Sequence, residues 1–484
     1  MTISSSLANA LSGLTAAARM ADVVASNTAN AMTEGYARRE LSLVAKSLGG
    51  EGAGVKVVGV SRIVNAVVLQ DRRLADAAAG NSTIRADFYN RIETLMGDPE
   101  SSGSLSARLA DFDSALIEAS SLPESDARLA AVVSAAASVA DHLNMLSDDI
   151  AQIRMQADDS IEKQVDVLNA SLKQVDELNA EILAERSAGH DATALMDQRQ
   201  SLVDKISEIV PVRQVDRDRD QIALYTTGGA ILLEGNPVEI GFSPVGVITA
   251  DMTQASGALS GLTLNGKPVS SADSVVLGGG TLGALFAVRD ELAPRVQSEL
   301  DAFARDLIAR FADPAVDPTL NSGDAGLFTD GGAAFDPLDE VGVAGRISLN
   351  ALVDPSAGGD LWHLRDGLGA VAAGPVGNST LLNALNDAMT ENRAPLSGSF
   401  SGSQRSSSGF AAEMLSSISS TRQSAESTES YHSARQETLT QMSLADGVDT
   451  DFELEMLLRV EQAYAANAKV IKAIDELIQQ ILGL

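Results

Sequence analysis

Cysteine is absent from this 484-residue chain. That excludes disulfide staples, thiol nucleophiles and thiolate zinc sites. Aromatic residues make up only 4% of a chain that is 45% apolar, so its apolar surface is mostly Ala, Leu, Val and Ile. Such a mixture favours helices packed closely through small side chains. Positive charge is also short: 35 Lys and Arg stand against 66 Asp and Glu, a formal net charge of -31. A field of that sign repels phosphate, so neither nucleic acid nor anionic lipid is an expected partner. The acidity reads as a solubility device. No run approaches the ~20 apolar residues of a membrane span, and no membrane insertion is expected. The first basic residue is Arg19, and Ser, Asn and Gly interrupt the apolar positions before it. That is not the order of a cleavable signal peptide.

Proline is missing from most of the chain as well. Eleven of the 13 prolines lie between Pro211 and Pro395, with only Pro99 and Pro123 before them. Long helices are therefore permitted at both ends and in the early middle, and the segment from Pro211 to Pro395 must be more irregular. The early middle uses that freedom. Leu143, Leu146, Ile150, Ile153, Ala157, Ile161, Val165, Leu168, Leu172, Val175, Leu178 and Ile182 recur three and four apart. The spacing predicts one helix over Met145 to Arg186, about 60 Å long. Helices around Phe88 to Leu95 and Leu105 to Ala119 are expected to pack on it, and Ala194 to Ile209 reads as another.

From Val212 the period changes to two. Ile222 to Thr227, Gly228-Gly229 and Ala230 to Leu233 read as a tight hairpin, and Asn265-Gly266 marks a second one. A helix resumes through Leu282, Phe286, Leu292, Val296, Leu300, Phe303 and Phe311, bent at Pro294. Asp313 to Gly374 is rich in Gly, Pro and Asp, Ser397 to Gly409 is a polar linker, and a Ser-rich helix follows from Phe410 to Leu444. The expected fold is mainly α with a small β insert. Its parts are a terminal assembly segment over 1–45, a helical domain over 46–211, a β insert over 212–276, the helical return over 277–446 with an irregular stretch at 313–409, and a terminal helix over 447–484.

The ends carry matching heptads. At the C-terminus Leu457, Val460, Tyr464, Asn467, Ile471, Ile474, Ile478 and Ile481 alternate three and four apart. At the N-terminus Ile3, Leu7, Ala10, Leu14, Ala17, Ala21, Val24, Thr28 and Ala31 do the same with smaller side chains. Spacing of this kind makes a left-handed coiled-coil seam, and a lone Asn such as Asn467 commonly fixes its register. Termini usually fray, so strong seams there point to association.

Chemistry is hard to find. His142, His190, His363 and His432 are scattered, and each reads as a surface or helix-end residue. Asp216, Asp218 and Asp220 alternate like a calcium loop, but Arg217 and Arg219 intervene and position twelve is Thr227 rather than Glu. Gly278-Gly279-Gly280 lacks the Lys-Ser/Thr of a phosphate loop. The chain is read as having no catalytic residues, no metal site and no cofactor.

One segment is far more specific. Asn27-Thr28-Ala29-Asn30-Ala31-Met32-Thr33-Glu34-Gly35-Tyr36-Ala37-Arg38-Arg39 resembles the N-terminal signature of bacterial flagellar axial proteins: rod, hook and hook-associated proteins. Glu34 stands where that pattern usually has proline. Asn30 and its polar neighbours would end the first helix, Gly35 permits a sharp turn, and Tyr36 can anchor the outgoing chain. Glu461 to Ile471 is similar to the terminal helix of the same family. Leu195-Met196-Asp197-Gln198-Arg199, with Leu202 to Ile206, resembles a motif of the hook-associated protein 1 branch, as does the helical pair of Phe112 to Ile150 joined through Pro123.

The resemblance implies an extracellular structural subunit between hook and filament, exported unfolded by the flagellar type III system. Implied partners are further copies of itself, the hook protein, a second hook-associated junction protein and an export chaperone at the C-terminus. It also implies an assembly interface through Ile3, Leu7, Leu14, Val24, Asn27, Asn30, Gly35, Tyr36, Leu457, Val460, Tyr464, Asn467, Ile471, Ile474, Ile478 and Ile481. The alternatives are a hook or distal rod protein, and a secreted acidic hydrolase with its active site in 212–395.

Overall fold

The computed structural model describes residues 3–33, 35–48, 51–269 and 277–483. Helix α1 spans Ile3–Ala29, and a two-stranded antiparallel hairpin follows, β1 Arg39–Leu48 and β2 Glu51–Arg62. The hairpin corrects the expectation of helix from residue 46. Val55, Val57, Val58 and Val60 are β-branched, and they hold an extended ribbon that lies along α1. Ser12 fixes it there, its Oγ accepting the Val55 N–H at 3.1 Å.

The helical body contains α2 Ala66–Met96, α3 Leu105–Ser121, α4 Asp126–Ala188 and α5 Thr193–Ile209. Three of these starts have a local cause: Asn65, Ser104 and Ser125 cap α2, α3 and α4 by accepting the N–H three residues on. The helix expected over Met145 to Arg186 is longer than that, one helix of 63 residues, roughly 95 Å long. Ala-rich sequence from Ala130 to Ala140 extends it back to Asp126, and Gly189 in the left-handed conformation ends it. Part of α4 is long and apolar enough to cross a bilayer by length and composition alone, contrary to the expectation that no stretch would be. Half of that stretch is buried inside the protein.

The β region continues with β3 Val212–Asp216, β4 Ile222–Thr226, β5 Ile231–Glu234, β6 Asn236–Pro237, β7 Ile240–Gly241, β8 Leu262–Leu264 and β9 Lys267–Val269. They form a four-stranded sheet, β3-β4-β5-β6, and a three-stranded one, β7-β8-β9. Asn265 and Gly266 take positive φ at the β8–β9 turn, the conformation an Asn-Gly hairpin requires. The expected end of the insert at Val276 lies outside the described residues. This region shares one core with the helices: Ile161, Leu168 and Leu172 of α4 pack with Leu224, Leu232 and Leu233. Two α4 asparagines grip strand backbone directly. Asn179 accepts the Ile222 N–H and donates to its carbonyl, and Asn169 does the same to Ile240.

The chain returns through α6 Gly280–Ala287 and α7 Ala293–Phe311, joined by a single π turn over Val288–Leu292. The bend expected at Pro294 is taken up there. Pro294 has no N–H to give, and the Ala293 N–H bonds back to the Val288 carbonyl instead. Short strands β10 Phe328–Asp330 and β11 Ile347–Leu349, helix α8 His363–Asp366 and helix α9 Thr380–Thr390 lie within the stretch expected to be irregular. Helix α9 forms because Leu381, Leu382, Leu385, Ala388 and Met389 make one buried stripe. Phe112, Phe311 and Phe328 form the aromatic centre of the main core. Helix α10, Ser407–Ala445, runs along α2, and α11, Thr450–Leu482, pairs with α1.

His142 contradicts the surface expectation. It is 4% exposed in the main core, and neither ring nitrogen has a hydrogen-bond partner. Burial, with the charge of Arg108 second, pushes its pKa down to about 4, so it is neutral at pH 7.

Candidate functional site: the joint between the chain ends

Helices α1 and α11 run antiparallel, since Asn27 meets Glu453 and Gly13 meets Asn467. Their heptads divide in an instructive way. On α1 the line Ala10, Ala17, Val24 is buried, and on α11 Glu453, Val460 and Ile474 are buried one and two heptads apart. The second line on each helix is only partly covered. Leu7 and Thr28 are exposed on α1, and Leu457 and Tyr464 are 40% and 45% exposed on α11, against 5% for Val460 and 6% for Ile474. Each helix thus buries the middle of one line against its partner and leaves the other line exposed or half-buried. Ile3 and Ile481 are also exposed, and Leu14, Ile471 and Ile478 are half-buried.

Asn467 does not bridge the pair by a hydrogen bond. Its side-chain N–H bonds the Ala463 carbonyl of its own helix, and the amide lies over Gly13. A Cβ at Gly13 would stand 2.8 Å from that amide, so the small residue sets how closely the helices approach.

At the other end of the pair the signature segment ties four elements together. Asn27 is 1% exposed and uses its full hydrogen-bonding capacity. Its Oδ1 accepts from the Tyr36 hydroxyl and from the Arg39 N–H, both at 2.9 Å. Its Nδ2 donates to the Arg39 carbonyl at 2.9 Å and to Glu453 Oε1 at 3.0 Å. Only a side-chain amide supplies an acceptor and two donors in this layout. The same bracket recurs at Asn169 and Asn179, each against one strand residue. Asn30 closes the helix end by donating to the Ser26 carbonyl at 2.9 Å, and Gly35, at φ 77°, reverses the chain. Glu34 lies outside the described residues.

Two carboxylates hold the outgoing chain. Glu453 accepts from Arg38 Nε at 2.9 Å as well as from Asn27, and Arg38 lies 4.5 Å over the Phe452 ring. Asp197 of α5 accepts from the Ala37 N–H, from Arg62 Nε at 2.8 Å and from Arg39 Nη2 at 3.0 Å. Burial lowers the Arg62 pKa, with Asp197 opposing that effect. The two sequence motifs, 27–39 and 195–206, therefore meet in space. Next to them Asp204 binds Arg72 and Arg73 of α2.

The structure brings Val24, Asn27, Asn30, Gly35, Tyr36 and Val460 to this joint or the buried seam. It leaves Ile3, Leu7, Leu457, Tyr464 and Ile481 on the surface. Sequence reading missed Glu453 and the charged residues Arg38, Arg39, Arg62 and Asp197 as site residues. A signal for Glu453 existed. Stepping back by seven from Ile474 through Asn467 and Val460 lands on it, a carboxylate where the line otherwise runs apolar.

The family model described as flagellar hook-associated protein FlgK helical domain matches residues 89–315, and that described as flagellar basal body rod FlgEFG protein C-terminal matches 441–484. The chain is similar to "Flagellar hook-associated protein 1" of Bacillus subtilis (strain 168), 24% identical over 95% of this chain and 94% of the relative. The protein of the same name from Salmonella typhimurium is 26% identical over 48% of this chain and 43% of its own length. That from Escherichia coli K12 is 24% identical over 48% and 44%. A solved structure, "The structure of the flagellar hook junction protein FlgK from Burkholderia pseudomallei", matches 55% of this chain and 47% of its own at 19% identity and a TM-score of 0.45.

Proposed function

We propose that this chain, which belongs to the flagellar hook-associated protein 1 family, is the structural subunit that joins hook to filament and assembles through its paired ends. The observation that carries the proposal is the apolar heptad surface on α1 and α11 that their pairing leaves incompletely covered. A helix pair that leaves Leu7, Leu457, Tyr464 and Ile481 exposed has apolar surface to give to neighbouring copies. The joint at Asn27, Asp197 and Glu453 holds that pair at a fixed attitude to the helical body.

The expected partners are further copies of the chain, the hook protein and a second hook-associated junction protein, with an export chaperone docking on the apolar face of α11. Export through the flagellar type III route places the protein outside the cell, in the flagellum. The role is structural rather than catalytic. Buried carboxylates in 212–395 are occupied within the fold: Asp301 accepts the Gly342 and Ala344 N–H groups, Asp317 accepts those of Thr319 and Leu368, and Asp306 pairs with Arg310.

Electron microscopy of a deletion strain tests the proposal. Hooks without filaments, with flagellin shed into the medium, is the expected result. A strain that lacks hooks altogether would assign the chain to hook or rod instead.

A further inference from the structure

The two ends of the chain form a unit of their own. Helices α1 and α11 pair along Ala10, Ala17, Val24, Val460 and Ile474, and Ser12 fixes the hairpin of β1 and β2 on α1. Asn27 and Glu453 tie the outgoing chain to both helices. What joins this unit to the helical body is small. The chain crosses between them at 63–65, before α2, and at 446–449, before α11, and Ile63, Val64, Asn65, Asp446 and Asp449 are all exposed. Each crossing is short. The Ile63 N–H still bonds the Arg38 carbonyl of the unit and Asn65 already caps α2, which leaves Val64 between them. At the other crossing the Gly447 N–H bonds back to Leu444 of α10 and Asp449 caps α11, which leaves Val448.

Away from the crossings the unit rests on α5. Hydrogen bonds run from Ala37, Arg39 and Arg62 to Asp197, and from Arg62 Nη2 to Gln200 Oε1 at 2.7 Å. The turn at Gly35 lies over Asp197 and Ser201 of the same helix. On either side of this contact the unit and the body stand apart. A cleft of about 650 Å³ is lined by Val58 and Val60 of the unit and by Gln70 and Gln214 of the body. A second, of about 790 Å³, is lined by Asn30 and Thr33 of the unit and by Gln174 and Leu178 of the body. Helix α5 gives Met196 and Arg199 to the first and Ala194 and Gln198 to the second, which are nearly opposite faces at ~100° per residue. The contact itself is not saturated, because Arg39 Nε is buried with no hydrogen-bond partner. An unmet buried donor makes a closed contact easier to open.

We propose that Asp197 is a latch. It holds the terminal unit at one attitude to the body, and once released the unit swings as one piece about Val64 and Val448 into the space of the flanking clefts. The bonds that Asp197 accepts from Arg39 and Arg62 are charge-assisted, so this one carboxylate carries most of the contact. Glu453 has a different task, because its partners Asn27 and Arg38 belong to the unit itself. Removing Glu453 loosens the unit, whereas removing Asp197 leaves the unit whole and frees its attitude. The inference concerns the single chain and stands apart from the junction role.

The absence of cysteine lets spin labels be placed singly in the full-length chain. Lys472 of α11 and Lys173 of α4 are both exposed, and a Lys173→Cys/Lys472→Cys pair reports across the latch. An Arg19→Cys/Lys472→Cys pair reports within the terminal unit. Double electron–electron resonance should give one narrow distance distribution for each pair when the latch is intact. Asp197→Ala should roughly double the width across the latch and leave the width within the unit unchanged. Glu453→Ala should broaden the distribution within the unit, which Asp197→Ala does not. Arg39→Gln/Arg62→Gln opens the latch from the other side with α5 intact, and should broaden the across-latch distribution as Asp197→Ala does. A distribution across the latch that stays narrow in either latch variant overturns the proposal. Equal broadening of both pairs in Asp197→Ala also overturns it, since the ends would then not move as one piece.

Discussion

The helical body and the terminal pair are both built from long helices, yet they bury very different fractions of themselves. Helix α4 buries 23 of its 63 residues, and its apolar stripe is covered along its whole length. Helix α11 buries only Glu453, Val460 and Ile474 over 33 residues. The body is therefore complete as one copy, with its aromatic centre closed over Phe112, Phe311 and Phe328. The ends keep apolar surface that the pairing of α1 with α11 does not bury. Their heptads bury part of one line within the chain and leave the rest exposed or half-buried. Under the proposed self-assembly, that surplus of apolar surface, which the chain's own fold does not consume, is what encodes the contact with neighbours.

The sharpest test of that contrast removes the surplus. A chain ending at Ala468 should lose incorporation into flagella entirely, while the circular dichroism and melting temperature of the body stay near those of the full chain. Loss of the body's cooperative transition in that variant would mean the ends are structural supports and the contrast is false. The converse variant, Phe112→Ala, empties a fully buried site in the body and should cost about 3–5 kcal/mol in urea unfolding.

The joint comes next. Asn27→Ala leaves the Arg39 backbone groups and the Tyr36 hydroxyl without their partner and takes one donor from Glu453. Roughly 2–3 kcal/mol should be lost locally, read as faster hydrogen exchange in α1 and α11 with little change in α4. Asn27→Asp should be worse, because it places a second carboxylate against Glu453. Equal acceleration throughout the body would show that joint and body unfold as one unit.

His142 offers a pH-dependent check on the body alone. Its pKa is about 4 in the folded protein and about 6.5 when unfolded. The unfolded chain therefore binds the proton first, so His142 lowers stability progressively as pH falls from about 6.5 to 4 and adds no further loss below that. The difference in unfolding free energy between wild type and His142→Leu should shift by on the order of 2–3 kcal/mol over that window. A flat difference would place the imidazole in contact with water.

Much of this was legible beforehand, for identifiable reasons. Three-and-four spacing exposed α4 and α11, and proline placement bounded the irregular region. Signature residues located the turn at Gly35. The hairpin at 39–62 was not legible because its alternation is broken by register shifts at Ser42/Leu43 and Ala45/Ser47, where period two fails. The polar joint was hidden for another reason: Asp197 and Glu453 are ordinary helix-surface residues in sequence, and only the approach of α5 and α11 to residues 37–39 gives them partners. The heptads did not reveal which line faces inward, since both lines read alike until the hairpin and α11 settle on α1.

The smallest effect on stability separates the two regions most cleanly. Leu458 is 59% exposed on α11, and beside it Arg459 pairs with Glu455 across one turn with both side chains largely in solvent. Exposed pairs of this kind contribute about 0.3–0.5 kcal/mol, and a polar replacement of an exposed leucine removes little buried area. Leu458→Ser and Arg459→Ala should each change the unfolding free energy of the isolated chain by less than about 0.5 kcal/mol. If the free face of α11 belongs to a neighbour, Leu458→Ser should nevertheless reduce incorporation in competition with wild-type chain, and Arg459→Ala should reduce it less. Incorporation equal to wild type for Leu458→Ser would mean that this part of the exposed face meets water in the assembled flagellum, and that only the line through Leu457 and Tyr464 is shared.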